Sequence, residues 1–317
     1  MKLLSTYIYL LLLLSLVGSS CVKDIDSFTS NGSGPNFQGD VNKMYIELRN
    51  SVTPIVTNVP SNTSSKINIG NSNFLIIPAK AWVDKNNKQI KGDVSVSIRL
   101  ITTKADKIRF AQYSNVSGKI FNWLNNIEIL AVSEGNPVLL GVGKSIELYC
   151  ETDTQYPNLK VYTGSYVSTR KFEVALAQND TIINTSWVNT FGTIINGYQS
   201  KITKTGWSCH GFEVPNSSMN AAAITLPTEL RDFNTLVALT GESSDLVINM
   251  QPTNPYSSTF KGAIDITDNI RSLCLVDQNK SSKLGILDYF IQLPTETSTT
   301  KPVAVTQVAF EELLNGF

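Results

Sequence analysis

In the stretch DVSVSIRL, residues 93–100, Val94, Val96, Ile98 and Leu100 alternate with Ser95, Ser97 and Arg99. A period of two puts the apolar set on one face of an extended chain and the polar set on the other. The stretch therefore reads as a half-buried strand. Similar short apolar or alternating runs place strands at 43–49, 127–133, 145–150, 159–163, 171–176, 198–203, 221–226, 234–240, 245–250, 272–276 and 285–293. The linkers between them are rich in Asn, Gly, Ser and Pro, and this spacing predicts β-sandwiches. FLIIPAKAWVD (74–84) precedes DVSVSIRL across the polar turn DKNNKQIKG, so the two are expected to form a hairpin. Pro78 marks an edge or a break within it.

Helix is expected in two places only. PTELRDF (227–233) is long enough for a turn or two. VTQVAFEELLNGF, at the end, has Phe310, Leu313, Leu314 and Phe317 at helical spacing, with Gly316 as a stop. It reads as a short helix capping the last sheet. The fold class is all-β: two β-sandwich domains and a short C-terminal helix. A polar stretch, ETDTQYP (151–157), divides the body into an expected first domain, 41–155, and a second, 156–317.

Before the body the sequence changes character. Lys2 precedes an apolar run from Tyr7 to Val17, then Gly18, Ser19, Ser20 and Cys21. A positive start, a short apolar core and small residues are the features of a secretory signal peptide, expected over 1–20. A spanning helix needs about 20 apolar residues, and this run is shorter. Residues 21–40 contain Gly32, Gly34, Pro35 and Gly39 and read as a flexible tether.

This region resembles a bacterial lipoprotein signal, in which the cysteine is acylated and becomes the new N-terminus. Gly18 stands where a leucine is commonest. The following Lys23, Asp24 and Asp26 resemble the export tag of surface lipoproteins of the Bacteroidota. The resemblance implies lipid attachment at Cys21, an outer-membrane address and exposure at the cell surface. Several acyl chains on one cysteine are what stable anchoring requires.

Composition narrows the partners. Lys plus Arg and Asp plus Glu both number 26, and charged residues make up 16% of the chain. There is no basic excess for phosphate contacts, so no nucleic-acid partner is expected. Cys150, Cys209 and Cys274 share no metal-type spacing. Ile146, Leu148 and Cys150 alternate onto one face, as do Trp207 and Cys209, so small buried thiols are expected. One disulfide remains open in an oxidising compartment.

A second resemblance rests on Ile77, Pro78, Ala79, Trp82, Val83, Asp84, Gly92 and Val94, and on Gly206, Trp207, Cys209 and Phe212. These residues resemble a group of Bacteroidota lipoproteins of unknown function and are similar to the start of ZU5-type β-sandwich domains. Some ZU5-containing proteins cleave themselves at His-Phe/Leu-Ser/Thr. Here the single histidine, His210, is followed by Gly211, which disfavours that reaction.

Three near-motifs carry no chemistry. GVGKS (141–145) lacks the first glycine of a phosphate loop and is followed by a strand-like IELYC, where a helix is required. GWSCHG (206–211) is one residue too long for a nucleophile elbow, and Ser208 with His210 alone makes no oriented triad. Asp265, Asp268 and Asn269 fit no EF-hand spacing and read as a solvated turn. Trp123, in FNWLNN, is the candidate ligand-contact aromatic, as an exposed indole would stack on a sugar or a partner. A core position is the other reading.

The expectation is therefore a lipid-anchored binding or structural module without catalysis, cofactor or metal. Its partner would be a glycan, a matrix polymer or a surface protein. A hydrolase using two carboxylates and a fibre subunit using the stretch 303–317 are the alternatives.

Overall fold

The computed structural model describes residues 40–316 except 71, 216–218, 229, 232–233, 255–256, 265–268, 279–282, 292–294, 298–302 and 306, with backbone alone for much of 277–310. Cys21, Lys23, Asp24, Asp26, the expected signal peptide and nearly all of the tether lie outside the described residues, as do Asp265 and Asp268.

Strands dominate, and the fold is all-β with several antiparallel sheets. In chain order they begin β1 Ile55–Pro60, β2 Ser65–Asn68, β3 Phe74–Ile77, β4 Trp82–Val83, β5 Asp93–Ile101, β6 Asn115–Val116, β7 Lys119–Ser133 and β8 Asn136–Pro137. Next come β9 Leu139–Leu140, β10 Ile146–Glu151, β11 Lys160–Ser168, β12 Lys171–Leu176, β13 Thr181–Val188, β14 Ile194–Ile202 and β15 Gly206–Val214. The second set is β16 Asn220–Thr225, β17 Thr235–Gly241, β18 Val247–Asn249, β19 Gln251–Pro252, β20 Thr259–Ile264, β21 Ile270–Gln278, β22 Lys283–Ile291, β23 Thr295–Thr297 and β24 Val303–Val305. Among the described residues three helices join them: α1 Val41–Asn50, α2 Lys104–Arg109 and α3 Gln307–Asn315.

The first sandwich has one sheet in the order β1-β5-β7-β15-β11-β12, with β6 and β8 added on β7, and a second in the order β13-β14-β10-β3-β2. Val94, Val96, Ile98, Ile127 and Ile129 of the first sheet meet Leu75, Ile146, Leu148, Cys150 and Tyr198 of the second. Burying a large apolar side chain stabilises the fold by about 1.5–3 kcal/mol. In the second sandwich, sheet β19-β20-β16-β23 faces sheet β18-β17-β21-β22-β24. Ile224, Phe260 and Ile264 pack there on Val237, Leu239, Cys274 and Val276.

Three expectations are corrected here. The stretch ETDTQYP does not divide the sheets, because β15 pairs with β7 and β14 with β10 across it. The first sandwich therefore draws its strands from 55–214 and the second from 220–305, where 41–155 and 156–317 were expected. Next, β3 and β5 form no hairpin. Pro78 ends β3, Lys80 turns the chain at φ 56°, and the two strands join opposite sheets. Finally, 43–49 is helix. Asp40 caps α1 by accepting from the Asn42 amide at 2.8 Å, and Val41, Met44, Tyr45 and Leu48 form its buried stripe. That stripe packs on the outer face of the second sandwich, beside Leu236, Ala238, Leu273 and Leu275. The C-terminal helix packs on this same face, as expected of a cap, through Leu314. Phe310 and Phe317 lie outside the described side chains.

The two sandwiches are tied together through α2 and the loop after it. Lys104 Nζ donates to the Gly241 carbonyl at 2.7 Å. Lys107 Nζ donates to the Trp123 carbonyl at 2.8 Å and to that of Asp245 at 3.0 Å. Asn115 makes two bonds to the Asn249 backbone, both 2.8 Å. No helix among the described residues is long and apolar enough to cross a membrane.

Candidate functional site

Trp123 is not the exposed aromatic its polar neighbours suggested. It is 1% exposed, and its Nε1 donates to the Tyr113 carbonyl at 3.0 Å. Its ring stacks on Phe121 and meets Tyr162 edge-on. The cause is local. Gly211 pairs with Trp123 and His210 with Asn125, so Leu124 is an extra residue in β7. That bulge reverses the alternation. Asn125 and Ile127 face the sandwich interior while Trp123 joins an aromatic cluster on the other side of the sheet. Trp123 is thus part of the core and makes no ligand contact.

His210 and Ser208 face inward with Asn125. His210 Nδ1 lies 2.9 Å from Asn125 Oδ1, and Nε2 lies 3.0 Å from Ser200 Oγ and 3.5 Å from Ser208 Oγ. Asn125 also donates to the Tyr198 hydroxyl. The order Asn–His–Ser has the connectivity of a nucleophile relay. Its position forbids that role: His210, Ser200 and Ser208 are fully or almost fully buried between two sheets. Burial lowers the imidazole pKa to about 3, so it is neutral. The network joins β7, β14 and β15 and satisfies polar groups inside the core.

Cys150, Cys209 and Cys274 are free, buried thiols. Burial pushes the Cys150 thiol up to about 12 and raises Cys209 and Cys274 further, so all three stay protonated. Among the described residues no cluster of His, Cys, Asp and Glu has the arrangement of a metal site. Val142 and Gly143 form a turn, and β10 follows GVGKS, which leaves no helix N-terminus for phosphate.

A cleft of about 820 Å³ lies where α1, β6 and the β11–β12 turn approach the second sandwich. Tyr45, Tyr113, Arg170, Lys171, Glu173 and Asn249 are among its lining residues. Glu173 is the one carboxylate in that described lining, and Lys171 pairs with it at 2.5 Å.

The outer face of the sheet β13-β14-β10-β3-β2 is different in kind. Register places Ile183, Gln199, Tyr149, Phe74 and Asn68 in one row across five strands. The neighbouring row is Thr181, Lys201, Glu147, Ile76 and Lys66. Phe74 and Tyr149 stack with centroids 4.5 Å apart and planes at 13°. Trp187 meets both edge-on, at 5.9 and 5.6 Å. Lys66 Nζ sits 3.8 Å over the Phe74 ring, a cation–π contact. Gln199 Nε2 donates to Glu147 Oε2 at 3.0 Å and to the Tyr149 hydroxyl at 2.9 Å. The Tyr149 hydroxyl donates to Glu147 at 3.3 Å. Partial burial and then the Glu147 carboxylate raise the Tyr149 pKa, which keeps the phenol a donor.

Gly197 makes room for the indole. A Cβ there would lie 2.6 Å from Trp187 Cη2. Trp187 is half-buried, whereas Trp82, Trp123 and Trp207 are buried. Among the described residues its Nε1 has no hydrogen-bond partner. Trp123, on β7, and Trp187, on β13, lie on different sheets. No protein-family model and no curated protein sequence matches this chain.

Proposed function

We propose that this chain is a lipid-anchored, surface-exposed binding module without catalysis. Its binding surface is the outer face of the β13-β14-β10-β3-β2 sheet. The observation that carries this is the aromatic group Trp187, Tyr149 and Phe74 on a strand-built face, flanked by Gln199, Glu147 and Lys66. A solvent-facing sheet surface ordinarily carries scattered polar residues. Of the three touching aromatics there, Phe74 is buried and seats the other two, and the partly exposed Tyr149 and Trp187 are contact area held at low entropic cost. Residues on strands are also positioned before any ligand arrives.

The anchor part of the proposal rests on Cys21, Lys23, Asp24 and Asp26 as sequence features resembling those of Bacteroidota surface lipoproteins. The carboxylate-pair hydrolase has less support: the cleft beside α1 brings in one acidic residue where that route needs two, and in the pocket at the 84–91 turn, which has Asp84 and Glu134, Asp84 is engaged by the Asn86 and Lys88 amides. A donated C-terminal segment also has less support, because α3 packs into its own core.

Two measurements test this. Cys21→Ala is expected to abolish palmitate labelling and release the chain from the membrane fraction. A labelled, membrane-retained variant sinks the anchor. The mature chain, fluorescently tagged, is expected to bind cell-envelope material, and the pair Trp187→Ala and Tyr149→Ala to weaken that binding by about tenfold or more, equivalent to ~1.4 kcal/mol. Undiminished binding by the pair removes this face as the site.

A further inference from the structure

Resting on that binding reading, we propose that the Trp187 face takes a neutral saccharide. One pyranose ring stacks on the partly exposed indole of Trp187, and its hydroxyls reach the Gln199, Glu147 and Lys66 row.

The indole's surroundings are the first ground. Phe74 and Tyr149 form a stacked cross-strand pair, and the Trp187 ring meets both edge-on, at 89° and 78° to their planes. Its Cη2 edge lies over Gly197, where a Cβ would leave no room. The Trp187 side chain is partly exposed, the least buried of the four tryptophans. A flat π face carries negative potential. The C–H bonds on one side of a sugar ring present weakly positive hydrogens and fit against it.

The second ground is the polar row. Gln199, Tyr149 and Glu147 are locked to one another at 2.9–3.3 Å. Amide, phenol and carboxylate held in this way suit hydroxyls, which both donate and accept. Locking removes the rotamer cost of recruiting each group.

Charge selects among sugars. Lys66 and Lys201 are balanced on this face by Glu147 and Glu151, so no field favours an acidic glycan. Protein partners are disfavoured by shape. Their hot spots sit in desolvated pockets ringed by contacts that exclude water, and this face is an open sheet surface.

The test uses the mature chain in native gels cast with soluble α-glucan, β-glucan, mannan or xylan. In parallel, binding to cell envelope is measured before and after periodate, which cleaves vicinal diols. Trp187→Ala is the variant. Gln199→Ala, on a partly exposed side chain, is the second in case the first misfolds. The inference expects retardation in at least one gel or periodate-sensitive envelope binding, weakened about tenfold or more by either substitution. Trp187 is the least buried tryptophan, so saccharide should also shield the chain's fluorescence from acrylamide. Envelope binding that needs Trp187 but survives periodate, with no gel retardation, overturns the saccharide and keeps the face. No binding in any format, or binding that both variants retain in full, overturns the face itself.

Discussion

A Cβ built on Gly197 would lie 2.6 Å from Trp187 Cη2 and 2.1 Å from the Cys150 carbonyl oxygen. The glycine thus sets two things: the close approach of β14 to β10, and the seat of the indole. Gly197→Ala forces the new methyl into a backbone carbonyl, which cannot move aside as a side chain can. We expect a loss of about 1–3 kcal/mol, as for other overpacking changes, and greater acrylamide quenching of tryptophan. An unchanged urea midpoint with unchanged quenching would refute this.

His210 makes stability fall on mild acidification. The unfolded imidazole takes a proton near 6.5, while the folded one, desolvated between two sheets, resists down to about 3. In that window the unfolded state binds the extra proton, so stability falls as pH drops and is regained above the unfolded value. The slope is roughly 1 kcal/mol per pH unit. His210→Gln is expected to be less stable at pH 7 but to lose less between pH 7 and 5 than the parent. Equal losses over that interval would show that His210 does not titrate in this way.

Lys107 acts at the other end of the scale. Burial lowers its pKa from 10.5 to about 8, with Asp245 opposing. Between these values the unfolded chain holds a proton that the folded chain has released, so stability rises with pH there, by roughly 1 kcal/mol per unit. Lys107→Met is expected to lack this rise. It also leaves the Trp123 and Asp245 carbonyls without their donor, so at pH 7 the variant is expected to be less stable by about 1–3 kcal/mol. Denaturant titrations at pH 7, 8 and 10 decide both points.

Arg109 holds the C-terminal helix. Its guanidinium donates to Asp106 at 2.8 Å, Glu311 at 2.5 Å and Asn315 at 2.9 Å, with its side chain only 6% exposed. Arg109→Ala removes this donor from Asp106, Glu311 and Asn315, and since the two carboxylates are partly exposed the expected cost is about 1–3 kcal/mol. We expect faster amide exchange over 307–315, while β5 and β7 stay protected. Unchanged exchange over the helix would mean that Leu314 alone docks it.

Much of this was legible in local periodicity. Ile146, Leu148 and Cys150 share the interior face as their alternation predicts, and Trp207 and Cys209 share the other. KMYIELR (43–49) reads as a strand by alternation, yet it also carries a helical stripe. Met44, Ile46 and Leu48 fit a strand, while Met44, Tyr45 and Leu48 fit a helix. The structure exposes Ile46 and buries Tyr45, which is the helical answer. Trp123 had two readings in the sequence, an exposed indole and a core position, and the structure gives the core one; the bulged residue Leu124, which inverts the period-two pattern beside it, leaves no mark in composition.

That the chain is built of strands, that Pro78 breaks one of them and that Cys150, Cys209 and Cys274 are core thiols all follow from side-chain size and spacing over a few residues. Which strands share a sheet, and with that where the candidate site lies, was settled only by long-range packing. Phe74, Glu147, Trp187 and Gln199 meet through strand pairing, which joins backbone groups that nearly every residue carries. Such pairing is chosen by the burial of whole faces at once, so no single stretch of the chain announces it.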